Sequence, residues 1–285
     1  MRVERFPVPG TKVVASDFIT TGGGCAANAA LAVARLGGRA AFAGPLGGKA
    51  DAVSERILAD LAAEGVDCSG VARVDGGTAS VSLIMLDATG EKIIATRRGT
   101  GLGRTLPENA DRLVANADAV LVDNRFPDFV SAVCRAAQAR TIPVVIDLDQ
   151  ATTPDNALLK LGTHVIASTE ALRATTGLDD PAAALKRLAD NVSGFLAVTD
   201  GPNGVYWLES GSLRHMPAFA VKAIDTLAAG DAFHGAFTLA LAEGRELAGA
   251  LRFASAAAAL KCTHFGGAAG APRRAEVDAF LKNHQ

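Results

Sequence analysis

Short apolar runs alternate with stretches of helical spacing along most of this chain, and glycines separate them. From residue 107 onward the alternation is regular. Apolar runs at 119–122, 144–147, 165–167 and 196–199 read as strands, and the segments 129–139, 156–161 and 170–176 between them read as helices. A hairpin follows, with strands at 205–208 and 213–216. Apolar strands alternating with helices predict a mostly parallel sheet covered on both faces. In such sheets ligands bind beyond the carboxyl ends of the strands. Asp123, Asn124 and Arg125 follow one such end, Asp147 and Asp149 the next, and Thr199-Asp200-Gly201 another.

The first hundred residues are organised differently. Residues 11–20 alternate weakly and predict a strand, and Gly22-Gly23-Gly24 then opens a helix through 31–36 that Gly37-Gly38 stops. Residues 40–48 predict a short strand and turn, and 53–64 an amphipathic helix with Ile57, Leu58 and Leu61 on one face. Residues 78–86 and 92–97 flank Asp87-Ala-Thr-Gly-Glu91 and predict a hairpin. With 11–20 this hairpin is expected to form a small sheet apart from the main one. Near the C-terminus, 218–221 is a short apolar run with strand character. Phe233, Phe237 and Leu241 then recur at spacing four up to Gly244, which predicts a helix with one apolar face, and 247–263 is a helix rich in small residues.

At 285 residues the chain suffices for one large α/β domain, or one domain with a small appendage. A formal net charge of −2 leaves no basic excess to neutralise phosphates, which argues against nucleic acid as a partner. Cys25, Cys68, Cys134 and Cys262 are scattered without a C-x-x-C pair, so reduced thiols are expected rather than a metal or disulfide framework. The first ten residues lack an apolar signal region, and no run of about 18 apolar residues occurs. A soluble cytoplasmic protein with no membrane partner is the expectation.

The stretch with the most chemistry is Asp225-Thr-Leu-Ala-Ala-Gly-Asp231. It leads into the 233–241 helix, where free backbone N–H groups and the positive end of the helix dipole favour an anion. Ala228, Ala229 and Gly230 carry no bulk, so a phosphoryl oxygen can approach their amides, an arrangement that for Ala228 presumes a negative φ. Asp231 then stands where a carboxylate takes a proton from an attacking hydroxyl. The same spacing also suits a helix-capping aspartate with a solvated neighbour. Arg125 suits an anionic substrate group, or a simple pair with Asp123 or Asp128. Gly48-Lys49 is no phosphate loop, because Ala43 and Ala50 stand where that motif needs glycine and a hydroxyl. His215, His234 and His264 lack metal-ligand spacing; His234 shares a helical face with Asp231, and packing is its simpler role. No G-x-S-x-G occurs, so hydrolase chemistry has no foothold.

Residues 225–231 resemble the D-T-x-G-A-G-D signature of the ribokinase-like (PfkB) sugar kinases, with Ala228 in place of the first glycine. Gly22-Gly-Gly-Cys-Ala-Ala-Asn28-Ala resembles that family's first signature. The resemblance implies a ribokinase-like three-layer α/β sandwich with a mostly parallel central sheet plus a small β lid. That is one domain over residues 1–285, with lid segments near 8–21 and 77–100 that also pair homodimers. It implies ATP, Mg²⁺ and a monovalent cation such as K⁺. Asp231 becomes the base, and the amides of Ala228, Ala229 and Gly230 the anion hole. Gly23, Gly24 and Asn28 become sugar contacts. Thr199, Gly201, Gly204, Thr226 and Gly267 become nucleotide contacts, the last in a glycine loop near the adenine and cation. Where the family has N-x-x-E, this chain has Ser168-Thr-Glu170-Ala, leaving Glu170 to reach the magnesium through water. Relatives begin with a central strand ending in an aspartate that holds sugar hydroxyls, and residues 3–28 fit the segment after it. The expectation is therefore a shortened start or a locally rearranged sheet, with unpaired backbone in its middle. The run 225–272 is most similar to the sulfofructose kinase branch. That similarity implies transfer to the C1 hydroxyl of 6-deoxy-6-sulfofructose, with Arg125 on the sulfonate and Arg97 or Arg98 in reserve. Fructose, 2-keto-3-deoxygluconate and ribose stay open as substrates. So do a non-catalytic sugar or nucleotide sensor and, on the α/β alternation alone, a dinucleotide oxidoreductase.

Overall fold

A computed structural model describes residues 1–284. In chain order the elements are α1 (Cys25–Arg35), β1 (Ala41–Gly47), α2 (Ala52–Ala63), β2 (Asp67–Val74), β3 (Val81–Leu86), β4 (Lys92–Arg97) and α3 (Ala110–Leu113). Then come β5 (Val120–Asp123), α4 (Pro127–Gln138), β6 (Val144–Leu148), β7 (His164–Ser168), α5 (Thr169–Thr176), α6 (Pro181–Ala189) and β8 (Phe195–Thr199). The chain ends with β9 (Val205–Glu209), β10 (Ser212–Met216), α7 (Ala229–Ala242), α8 (Leu247–Cys262) and α9 (Arg274–Lys282).

Six strands form the main sheet in the order β10-β9-β8-β7-β6-β5. β5 to β8 are parallel, and the β9–β10 hairpin closes one edge antiparallel. Side-chain alternation along each parallel strand builds two cores. Val144, Ile146, Leu148, Val165, Ala167, Leu196 and Val198 face Phe129, Val133, Leu172 and Leu185 of α4, α5 and α6. Val145, Ile166 and Ala197 face Phe233, Phe237, Leu251 and Phe253 of α7 and α8. The result is three layers, as the alternation of runs predicts. Asp147 lies on the strand face that looks toward α7, by the same parity.

The sheet does not continue past β5. β1 and β2 form a separate parallel pair, and no ladder joins β1 to β5 among the described residues. β5 is thus an edge strand, with no strand paired to its outer side among the described residues. The gap belongs to one continuous cleft of about 2950 Å³ that also reaches the ends of β5 to β8.

Three expectations need correction. Residues 11–20 form no strand: Asp17 makes a single bridge to Arg2, and Val14 and Phe18 are exposed with nothing to pair against. The residues that extend the β3–β4 hairpin are Met1 to Val3, with Val3 N–H donating to Leu86 O at 2.8 Å and Leu86 N–H to Met1 O at 2.9 Å. Only a 3₁₀ turn at Leu159–Leu161 stands where a helix over 156–161 is expected. The run is short, and the Asn156 side chain accepts the Leu158 N–H instead of leaving it for a helical bond. Residues 218–221 pair with no strand, and Phe219 packs edge-on against Phe280 of α9. Helices α3, α6 and α9 lie outside the sequence expectations altogether.

Candidate active site

Two helix N-termini meet at the carboxyl end of the main sheet. α1 enters from the glycine run and α7 from the 225–228 turn, and they cross closely because Gly235 of α7 sits against Ala29 of α1. A Cβ on Gly235 would stand 2.6 Å from the Ala29 carbonyl oxygen. This crossing brings Asn28 and Asp231 together, with Asn28 Nδ2 donating to Asp231 Oδ2 at 2.6 Å. Burial raises the Asp231 pKa above the usual carboxylate value, and the Asn28 hydrogen bond and His234 partly offset it. A more basic, oriented carboxylate at the floor of a cleft is what proton abstraction from a hydroxyl asks for.

Ahead of Asp231 the chain turns through Ala228, which adopts φ 63°, the left-handed region. The presumed negative φ is thus incorrect: the turn into α7 demands αL geometry, which the signature's usual glycine accepts freely and alanine accepts at about 1 kcal/mol. Nothing stands within 4 Å of where a Cβ on Gly230 would point, so the first turn is open to a ligand. Asp225 does not cap α7. Its Oδ1 accepts from Leu227 N–H at 2.8 Å, and its Oδ2 from Gly266 N–H and Gly267 N–H, each at 2.9 Å. Behind it Lys261, wholly buried, donates from Nζ to the Asp225 carbonyl at 2.7 Å and the His264 carbonyl at 3.2 Å. Burial raises the Asp225 pKa, yet the Gly267 N–H, Lys261 and the other amides bring it below the ordinary value. Lys261 is itself lowered, because burial outweighs its neighbour Asp225.

Opposite this turn lie Asp123, Asp147 and Asp149. The N–H of Ala26, at the start of α1, donates to Asp123 at 3.3 Å, and the Arg125 N–H donates to it at 3.0 Å. Burial raises both Asp123 and Asp147, and for Asp147 the neighbouring carboxylates, Asp231 foremost, add to the rise. Arg125 pairs with Asp149, rather than with Asp123 or Asp128 through its guanidinium, and donates to Cys25 Sγ at 3.4 Å. His234 is buried, with Nδ1 on the Gly230 carbonyl at 2.8 Å and Nε2 3.6 Å from Asp147 Oδ1. It therefore packs and braces; it does not face the cleft.

Of the sequence candidates, Gly23, Gly24, Asn28, Arg125, Ala228, Ala229, Gly230 and Asp231 line the cleft together. Thr199, Gly201, Gly204, Thr226 and Gly267 line it farther along, and Glu170, exposed on the first turn of α5, lies on the same side. Arg97 is not brought in: Lys92, Ile94 and Thr96 of β4 line the cleft, and strand alternation puts Arg97 on the other face. Cys25, Asp60 and Lys261 were missed. Asp60 accepts the Gly22 N–H at 2.6 Å and so fixes the glycine run. The signal for Lys261 was a lone lysine inside a run of alanines and leucines; nothing local marks Asp60.

A helix start open to a ligand, an acid beside it and a cleft at the strand ends are the features a phosphotransferase of the three-layer α/β type requires. Residues 1–274 match the family model described as pfkB family carbohydrate kinase, and the chain belongs to that family. Ribokinase from Bacillus subtilis (strain 168) is 30% identical over 284 residues, which span 98% of this chain and 94% of the relative. A crystal structure from Agrobacterium tumefaciens superposes with TM-score 0.93 at 38% identity, covering 99% of this chain and 93% of that one. The structure of Arabidopsis thaliana ribokinase complexed with ribose and ATP superposes with TM-score 0.83 at 27% identity, covering 99% and 94%. The chain is an ATP-dependent carbohydrate kinase of the ribokinase type. No described helix is long and apolar enough to cross a membrane.

Proposed function

We propose that this kinase phosphorylates a small neutral sugar, a pentose or ketohexose such as ribose or fructose, on a hydroxyl held against Asp231. The observation that carries this reading is the charge around the cleft. Asp123, Asp149 and Asp231 line it with Asp147 buried close by, and the guanidinium beside them, Arg125, is already paired with Asp149. Carboxyl groups in a partly desolvated cleft pair well with sugar hydroxyls and offer no partner to a sulfonate or phosphate carried by the sugar. The Arabidopsis ribokinase, similar over nearly the whole chain, is complexed with ribose and ATP, which supports the same reading.

In this scheme Asn28 holds the Asp231 carboxylate in place, and Asp231 takes the proton from the attacking hydroxyl oxygen. The amides of Ala228, Ala229 and Gly230, at the positive end of α7, face the charge that develops on the transferred group. Gly23 and Gly24 let the sugar approach the backbone. Thr199, Gly201, Gly204, Thr226 and Gly267 line the path for the nucleotide. Glu170 fits a role toward Mg²⁺, since it is exposed in the cleft with no protein partner among the described residues. Magnesium, when bound with ATP, supplies neutralisation of phosphate charge. The β3–β4 hairpin with Met1–Val3 serves as the lid of a single domain and as a homodimer surface, in a cytoplasmic protein.

A second reading, 6-deoxy-6-sulfofructose phosphorylated at C1, draws on Arg125. Its side chain is about a third exposed at the cleft and is held by a carboxylate that is equally exposed, so an anionic group has access to it. An ATP-coupled assay over ribose, fructose, 2-keto-3-deoxygluconate and 6-deoxy-6-sulfofructose separates the two. Turnover of ribose or fructose well above the two anionic sugars is expected. Turnover confined to the sulfonated ketose, lost in Arg125→Leu, would replace the neutral-sugar reading. Asp231→Asn is expected to lower kcat by roughly 10²–10⁴ while ATP still binds; unchanged turnover would remove Asp231 as the base.

A further inference from the structure

The family resemblance leads to an expected monovalent cation where the 264–270 loop meets the 225–231 turn. The residues present do not fit a free ion there. Lys261 comes up from the last turn of α8 with its side chain wholly out of solvent, and its ammonium already occupies the junction. It donates to the Asp225 carbonyl at 2.7 Å and the His264 carbonyl at 3.2 Å, and lies 3.3 Å from Asp225 Oδ2. Backbone carbonyls and one carboxylate from two loops, gathered around a single positive charge, are the oxygen surroundings that K⁺ takes. A K⁺ added beside the ammonium would meet a like charge in a buried setting.

We propose that the Lys261 ammonium stands in for the monovalent cation, so that this kinase works without K⁺. The tether has a second effect. The Asp225 carbonyl belongs to the same peptide unit as the Thr226 N–H, and a buried positive charge on that oxygen polarises the unit at the start of the anion-accepting turn. The Asp225 carboxylate, held by the same lysine, fixes Gly266 and Gly267 by their amides. One side chain thereby locks the phosphate turn to the loop beside it, the bridging task a bound ion would perform. Lys261 touches no reacting atom in this arrangement; it is a positioning residue.

The inference rests on the kinase assignment for its activity readout, so the test carries a second readout that needs no substrate. Wild-type protein is assayed, and separately melted, in KCl and in tetramethylammonium chloride at matched ionic strength. Equal rates and equal melting temperatures are expected. Lys261→Ala removes the ammonium and leaves room for an ion, whereas Lys261→Met fills the space with an apolar stem. The alanine variant is expected to lose turnover about tenfold or more, and to regain both rate and melting temperature selectively in KCl or NH₄Cl. The methionine variant is expected to regain neither. Activation of the wild type by K⁺ would overturn the proposal, as would an alanine variant that melts and reacts alike in both salts. If no sugar is turned over, the melting comparison still decides the cation question, and a failed kinase reading is recognised separately. If the alanine variant does not fold in tetramethylammonium chloride, folding restored by KCl supports the proposal, and no folding in either salt overturns it.

Discussion

Asp231 owes its chemistry to a single neighbour as much as to its own burial. Burial raises its pKa and the Asn28 amide, 2.6 Å away, lowers it. Removing that donor in Asn28→Ala takes away the largest influence that opposes burial, so the carboxylate keeps its proton to higher pH. Because the base must be deprotonated to act, the acid limb of the kcat/KM profile is expected to move upward in pH. A pH–rate series on both proteins reads the shift, and coincident limbs would mean that Asn28 does not tune the base. Part of this scale was legible beforehand, because helix-start chemistry depends on local spacing: Asp231 and the small residues 228–230 could be set at a helix start from the chain alone, whereas Asn28 came only from the family resemblance, as a sugar contact, and its bond to Asp231 was not foreseen. The φ of Ala228 could not, since alanine gives no hint of a left-handed turn. Nor could the Arg125–Asp149 pair, because the choice among Asp123, Asp128 and Asp149 is made by how the β5 and β6 loops lie side by side.

At the scale of elements, the site depends on how closely α1 and α7 approach. Gly235 is the contact, and its missing side chain is what allows Ala29 to sit where it does. Gly235→Ala forces the helices apart or bends one of them, at a cost of about 1–3 kcal/mol for overpacking. Thermal melting is expected to show that loss, and because Asn28 lies on the displaced helix, kcat should fall as well. A variant as stable and active as the parent would show that the crossing has slack. Strand identities in the parallel part followed from the sequence because those strands are buried on both faces and leave unbroken apolar runs, as Val144–Leu148 does. Residues 11–20 misled for the complementary reason: alternation predicts a strand only where another strand is available to pair, and this segment finds only Arg2. Helix α6 was overlooked although Asp180 and Pro181 supply a good start, with the Asp180 side chain accepting the Ala183 N–H.

Across the whole molecule, the β3–β4 hairpin presents Val81, Leu83 and Ile93 to solvent on one face, each more than 40% exposed. Such a face suits the proposed pairing of two copies. Sedimentation of the wild type should show a dimer, and Leu83→Glu, which places a charge in the middle of that face, should yield monomers that remain folded. A wild type that sediments as a monomer at micromolar concentration would end the dimer proposal.

The break between β1 and β5 sets how the protein breathes. Amides of Val120–Asp123 that point away from β6 face no paired strand among the described residues, and water in the cleft can reach them. Deuterium is therefore expected to enter β5 and the free side of β1 far faster than it enters β6 or β7, which have partners on both flanks. Mass spectrometry of peptic fragments measures this directly. Uniform protection from β5 through β8 would mean that the opening closes in solution.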